Sequence, residues 1–151
     1  MLEPPVTTLA PLGRRLAARL LDGLVLTPVL VLLVGLTGGF PEGGRSFAMP
    51  DTAFRLYWLV VVAYEVGLIA LSGQTLGKRW VGIKVVDATT GAVPNLDQAG
   101  RRAAPSLLGI VPFLGTLAPL LYLPALWQPR RQGFHDSLAA TVVVRVEKME
   151  P

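Results

Sequence analysis

Two long apolar runs, each carrying a single buried-type carboxylate, set the pattern of this chain. The first, from about residue 16 to 36, is "LAARLLDGLVLTPVLVLLVGL" and is preceded by Arg14 and Arg15. The second, "FRLYWLVVVAYEVGLIALSG" over 54–73, starts with Arg55, Tyr57 and Trp58, residues suited to an aqueous–lipid boundary. Each is close to the ~20 residues a helix needs to cross hydrocarbon. Pro28 inside the first is better tolerated in a membrane helix than in a soluble one. Between them, the glycines and prolines of 37–51 predict a loop.

A third apolar segment, 104–127, is also long enough to cross. Its Pro105, Pro112, Pro119 and Pro124 predict a broken helix that either spans or enters and returns. The polar stretch 78–97 changes period: "VGIKVVD", a turn at "ATTG" and a short run to Pro94 predict a β-hairpin. The β-branched "AATVVVRVE" (139–147) predicts a third strand beside it. The expected fold is therefore an α-helical membrane protein. It has two transmembrane helices, a Pro-broken third segment, and a small cytoplasmic β-hairpin or three-strand layer. Residues 1–12 form a flexible lead, 13–147 the membrane domain, and 148–151 a tail.

Composition agrees with a lipid environment: 52% of the 151 residues are hydrophobic and only 16% charged, against ~25% charged in ordinary globular chains. With no cysteine there is no disulfide framework, thiolate metal site or cysteine nucleophile. The net charge of +4 is read as lysine and arginine held at the cytoplasmic face, not as a nucleic-acid footprint. Of the 14 Lys and Arg residues, all except Arg45 and Arg55 fall in 1–21, 73–104 and 128–151. That bias predicts a multi-pass protein of the bacterial inner membrane with its N-terminus in the cytoplasm. It also favours two full spans, because a third crossing would export Arg130, Arg131, Arg145 and Lys148 and separate the last strand from the hairpin. Irregular backbone at membrane depth must be covered by protein, which predicts a homo-oligomer. Cleavage of the first run as a signal peptide is not expected, since an aspartate sits at its start and no small-x-small site follows.

Asp22 and Glu65 are the residues in need of a reason. Asp22 lies eight positions after Arg14 and Glu65 eight before Gly73, so on antiparallel helices rising ~1.5 Å per residue both sit at about 12 Å depth. Arg19 is i−3 and Arg15 two turns back on the face of Asp22. A carboxylate at the centre of a membrane helix costs ~2.5–3.5 kcal/mol, and less off centre, unless it has a partner or a water-filled cavity. Two readings follow. Asp22 and Glu65 form a cation or proton site, or Asp22 pairs with Arg19 or Arg15 and locks the helices together.

"SGQTLGKRWVG" (72–82) fails as a phosphate loop, since three residues, not four, separate Gly73 and Gly77, and Arg79 follows Lys78. Gln74, Thr75, Gly77 and Lys78 are expected instead to form a tight turn at the membrane exit, with Lys78 and Arg79 meeting anionic headgroups. His135 and Asp136 make too poor a donor set for a metal, and Asp136 is expected to orient the imidazole or cap a turn. No cofactor is expected, and no nucleophile–base pair points to an enzyme.

"RRLAARLLD", "GQTLGKRWVGIKVVD" and "RRQGFHDSLAATVVV", in that order, resemble the RDD family of small bacterial membrane proteins. The resemblance covers Gly13 to about Val146. It implies an arginine and two aspartates at Arg15, Asp22 and Asp136, with Arg19 a competing choice for the arginine. It also implies two spans and a suggested role in transport of unidentified ligands, some members being similar to sodium/proton antiporters. Two functions are carried forward: oligomeric transport of a cation or proton through Arg15, Arg19, Asp22, Glu65, His135 and Asp136, or a non-transporting membrane scaffold in which the same residues form a structural network.

Overall fold

The computed structural model describes residues 9–40, 49–111 and 132–146. In chain order they form α1 (Leu12–Leu36), α2 (Asp51–Ser72), α3 (Leu76–Trp80), β1 (Ile83–Asp87), α4 (Leu96–Ala103), a 3₁₀ helix (Ala104–Ile110), α5 (Phe134–Leu138) and β2 (Thr141–Arg145). Most of the third apolar segment, 112–127, lies outside the described residues.

The two long helices have the length and composition to cross a membrane, and their surfaces point the same way. Only 22% of the most apolar window of α1 and 11% of that of α2 is buried, whereas the core helix of a soluble protein is mostly covered. Leu16, Leu20, Leu24, Val31, Leu32 and Leu36 of α1 and Leu56, Leu59 and Leu71 of α2 are all exposed. Such contiguous apolar surface is excessive for water and ordinary for lipid. Just ahead of Pro28, the Thr27 hydroxyl donates to the carbonyl of Gly23 at 2.9 Å.

Where α2 ends, Gly73 takes φ 72° and its N–H donates to the Ile69 carbonyl, a left-handed helix stop suited to glycine. Gly73 also closes the sheet edge, accepting from Val85 N–H at 2.8 Å. A Cβ there would lie 2.5 Å from the Val85 oxygen.

The hairpin expected over 78–97 does not form. Its first half is the short helix α3 followed by β1, and its second run is not a strand. The Asp87 carboxylate explains why: it accepts from Thr89 N–H, Thr90 N–H and the Thr90 hydroxyl, and from the Gln98 amide, gathering the turn onto itself. These donors, the Thr90 amide foremost, hold the Asp87 carboxyl down at about 2. Beyond the turn, Asn95 and Gln98 form a reciprocal capping box that starts α4. The place beside β1 is taken by β2, antiparallel, with Ile83 opposite Arg145 and Asp87 opposite Thr141. The sheet among the described residues thus has two strands, extended by a single bridge from Leu9 to Val144. Its free edges are covered by Ala10 N–H and Arg15 on the Val143 carbonyl, Gln74 on that of Ile83 and Gln132 on that of Thr141.

Both sheet faces are buried. Ile83, Val85 and Val143 pack with Ala10, Ala18 of α1, Ile69 of α2 and Ala99 of α4, while Val86 and Val142 pack with Leu9. The small sheet is thereby fastened to one end of the helical pair.

Gly73→Ala is expected to lower stability by about 1–3 kcal/mol, from the left-handed backbone and the Val85 oxygen together. Gly67→Ala, where a Cβ meets nothing within 4 Å, is expected to be neutral. Thermal unfolding in detergent compares the two.

Candidate functional site

Asp22 is 4% exposed, and both its oxygens are occupied. Oδ2 accepts from the Thr75 hydroxyl at 2.6 Å; Oδ1 accepts from Gly77 N–H at 2.8 Å and from the Tyr64 hydroxyl at 2.8 Å. The carboxylate of one helix therefore caps the start of α3, where backbone N–H groups lack intrahelical partners. Thr75 is itself the N-cap of α3, its oxygen accepting from Lys78 N–H, and the Tyr64 oxygen accepts from Leu76 N–H at 3.0 Å. Such an approach demands a missing side chain. A Cβ on Gly77 would lie 2.2 Å from the Ala18 carbonyl oxygen and 2.9 Å from Asp22 Oδ1.

The arginines expected beside Asp22 reach other carboxylates. Arg19 donates through Nη1 and Nη2 to Glu65 Oε2, both at 3.3 Å, tying α1 to α2. Glu65 is 2% exposed, and its Oε1, 3.2 Å from Arg19 Nη2, makes no hydrogen bond. Arg15 donates to Asp136 Oδ2 at 3.3 Å and to the Val143 carbonyl at 3.3 Å. Asp136 also accepts from Arg102 and from Gly133 N–H at the start of α5, so it joins α1, α4 and α5. Arg102 donates further to Thr141 Oγ1 at 3.3 Å.

Lys78, expected at the headgroups, turns inward instead and is 5% exposed. Its Nζ donates to Thr75 Oγ1 at 3.2 Å, which places it one hydroxyl away from Asp22. Burial pushes its ammonium down from 10.5 to about 7, a fall that the Glu65 charge opposes and those of Arg19 and Arg102 reinforce. His135, also buried, is held neutral by desolvation and by the Arg102 charge, with Nε2 3.6 Å from Asp136 Oδ1. Among the described residues no group of three His, Cys, Asp or Glu side chains can hold a metal ion.

The charges therefore form one continuous cluster where the helical pair meets the sheet, buried except at Arg19, whose side chain is 34% exposed. Arg15, Arg19, Lys78 and Arg102 face Asp22, Glu65 and Asp136, so the cluster is cationic with Lys78 protonated and neutral without that proton. Of the residues singled out from sequence, Arg15, Arg19, Asp22, Glu65, Thr75, Gly77, Lys78, His135 and Asp136 lie in or against it. Gln74 does not; it faces the sheet edge. Tyr64, Arg102 and Thr141 were missed. Arg102 carried a signal, since Ala99, Arg102 and Ala103 share the buried face of α4 at i, i+3, i+4. Tyr64 stands beside Glu65 in an otherwise aliphatic run.

Fold and site define a membrane-type helical protein with a small sheet fastened to one end by buried ion pairs. The chain belongs to the RDD family, whose family model matches residues 9–140. It is similar to an uncharacterized protein of Haemophilus influenzae, 28% identical over 106 residues, covering 70% of this chain and 66% of the relative. It is also similar to an uncharacterized protein of Rickettsia prowazekii, 31% identical over 87 residues, covering 58% of this chain and 45% of the relative. The matched region thus spans just under two thirds of the first relative and less than half of the second. No solved structure matches. RDD is not a known enzyme family.

Lys78 gives a pH prediction with a definite sign. Its folded pKa lies below the unfolded value, so between about 7 and 10.5 the unfolded chain holds a proton that the folded chain lacks. Stability therefore rises with pH across that window and is lost as pH falls towards 7. Unfolding midpoints from pH 7 to 10 should climb for the native protein, and the Lys78 contribution to that climb should vanish in Lys78→Met.

Proposed function

We propose that this protein is a multi-pass protein of the cytoplasmic membrane, N-terminus inside, whose oligomer exchanges a proton for a monovalent cation through the buried cluster. The observation that carries this reading is Glu65: a carboxylate at 2% exposure within an apolar helix, with one oxygen lacking a hydrogen bond. An ionisable group in a span marks an ion or proton path by default. Lys78 supplies the proton side of the exchange. Losing its proton neutralises the cluster, and a monovalent cation entering beside Glu65 restores the same total charge. Asp22, with both oxygens occupied, is assigned the structural part and Glu65 the exchanging one. The clustering of Lys and Arg away from the first loop supports the orientation. Two spans cannot enclose a path, so the reading requires assembly into an oligomer.

A scaffold reading has its own support. Asp22 and Asp136 each take three protein donors, as members of a purely structural network would.

Proteoliposomes loaded with a pH-sensitive dye and pulsed with Na⁺ or K⁺ separate the two. The transport reading predicts cation-dependent proton movement that falls at least tenfold in Glu65→Gln while folding is retained. Silence from well-folded native protein, or a strictly monomeric protein in lipid, favours the scaffold.

A further inference from the structure

Three arginines lie around the turn that joins α3 to β1. Arg14, in the first turn of α1, donates from Nη1 to the Val81 carbonyl at 3.4 Å, and its guanidinium lies 3.9 Å from where a Cβ on Gly82 would stand. The Arg79 carbonyl accepts from Gly82 N–H at 3.2 Å. Arg145 is the register partner of Ile83, and the next residue, Val146, donates its N–H to the Gly82 carbonyl at 2.9 Å. All three arginines are exposed. Among the described residues, none of them forms an ion pair with a carboxylate. Beside them stand Trp80, 63% exposed, and Val146, 44% exposed.

We propose that Arg14, Arg79 and Arg145, with Trp80, form a docking surface for the headgroup of an anionic phospholipid. Charge complementarity selects a phosphate-bearing partner, and the height of the patch selects a lipid. Arg14 belongs to the end of a membrane-length helix, and α3 follows the end of the other after three residues. The patch therefore lies at the level where hydrocarbon gives way to water. An exposed indole belongs at that level, and guanidinium groups reach outward from it to phosphates. Inorganic phosphate has no apolar part to pack on Trp80 or Val146. The proposal rests on the membrane placement of the helices and is independent of whether the cluster transports ions. Headgroup contacts on α1, α3 and β2 would steady the sheet against the bilayer.

The test is native mass spectrometry of the full chain in detergent micelles titrated with phosphatidylglycerol or phosphatidylcholine. Retention of phosphatidylglycerol over phosphatidylcholine is expected, with affinity falling about fivefold for each arginine changed to glutamine. Arg14→Lys, Arg79→Lys and Arg145→Lys together should keep most of it, and Arg101→Gln, whose arginine on α4 pairs with Asp97, should keep all of it. Equal retention of the two lipids, or unchanged binding by the triple glutamine variant, would overturn the proposal. So would displacement by millimolar inorganic phosphate, which would reassign the patch to a soluble ligand.

Discussion

A carboxylate placed inside an apolar helix must find its hydrogen bonds in the protein, and Asp22 finds two of its three in a segment more than fifty residues away and the third on α2. Thr75, Gly77 and Tyr64 together give its two oxygens three donors. The contact does for α1 what water does for an exposed aspartate. At the same time it gives the first turn of α3 an acceptor that its own backbone cannot supply. Removing one partner would leave the others buried and unsatisfied, which is the costly direction for a polar interaction. The geometry of the junction follows from this clasp. Gly77 must be glycine to reach α1, and Gly73 must be glycine for the chain to turn back towards Asp22 and then pass directly into β1.

The clasp also determines where the other charges lie. Holding α3 against α1 carries Lys78 inside, next to Thr75, where its ammonium titrates near neutral pH. Arg19, one turn before Asp22, is left to meet Glu65 across the α1–α2 seam. Arg15, a further turn back, meets Asp136 and the middle of β2. Successive turns of one helix thus engage α2, α3 and the α5–β2 unit, and Arg102 of α4 closes the set on Asp136. The cluster is continuous because a single helix face organises it. Such a network costs desolvation energy and need not add stability over an apolar seam. What such a network can add is specificity of arrangement; under the proposed function, Lys78 and Glu65 are also the groups that exchange a proton for a cation.

Much of this was legible in the pattern of residues, and the failures have physical causes. The long helices could be read because hydrocarbon demands uninterrupted apolar length. That Asp22 and Glu65 come to one level of the helical pair followed from counting along antiparallel helices, and the arginine–carboxylate theme from their one-face spacing. The partners could not be read in this way. Arg15 and Arg19 stand nearest to Asp22 in sequence, yet Asp22 is served by neutral donors, because a backbone N–H and a threonine fit closer than a guanidinium. The hairpin failed because strand propensity ignores Asp87, whose side chain holds the turn and releases the chain into α4 instead of a return strand. Lys78 misled because a lysine beside an arginine after a membrane helix normally faces headgroups; only its place in the first turn of α3, set by Thr75, turns it inward. Arg102 was hidden in a short helix whose buried face is otherwise alanine.

The direct hydrogen bond from Thr75 to Asp22 is what holds the sheet to the helices. A double-mutant cycle with Asp22→Asn, Thr75→Val and the combined variant, read as unfolding free energies in detergent, measures it. Both single changes should destabilise, and the pair should be coupled by about 1.5–3 kcal/mol, the range for a hydrogen bond to a charged group. Additive effects with no coupling would mean that the two residues act independently, and Asp22 would not be the clasp.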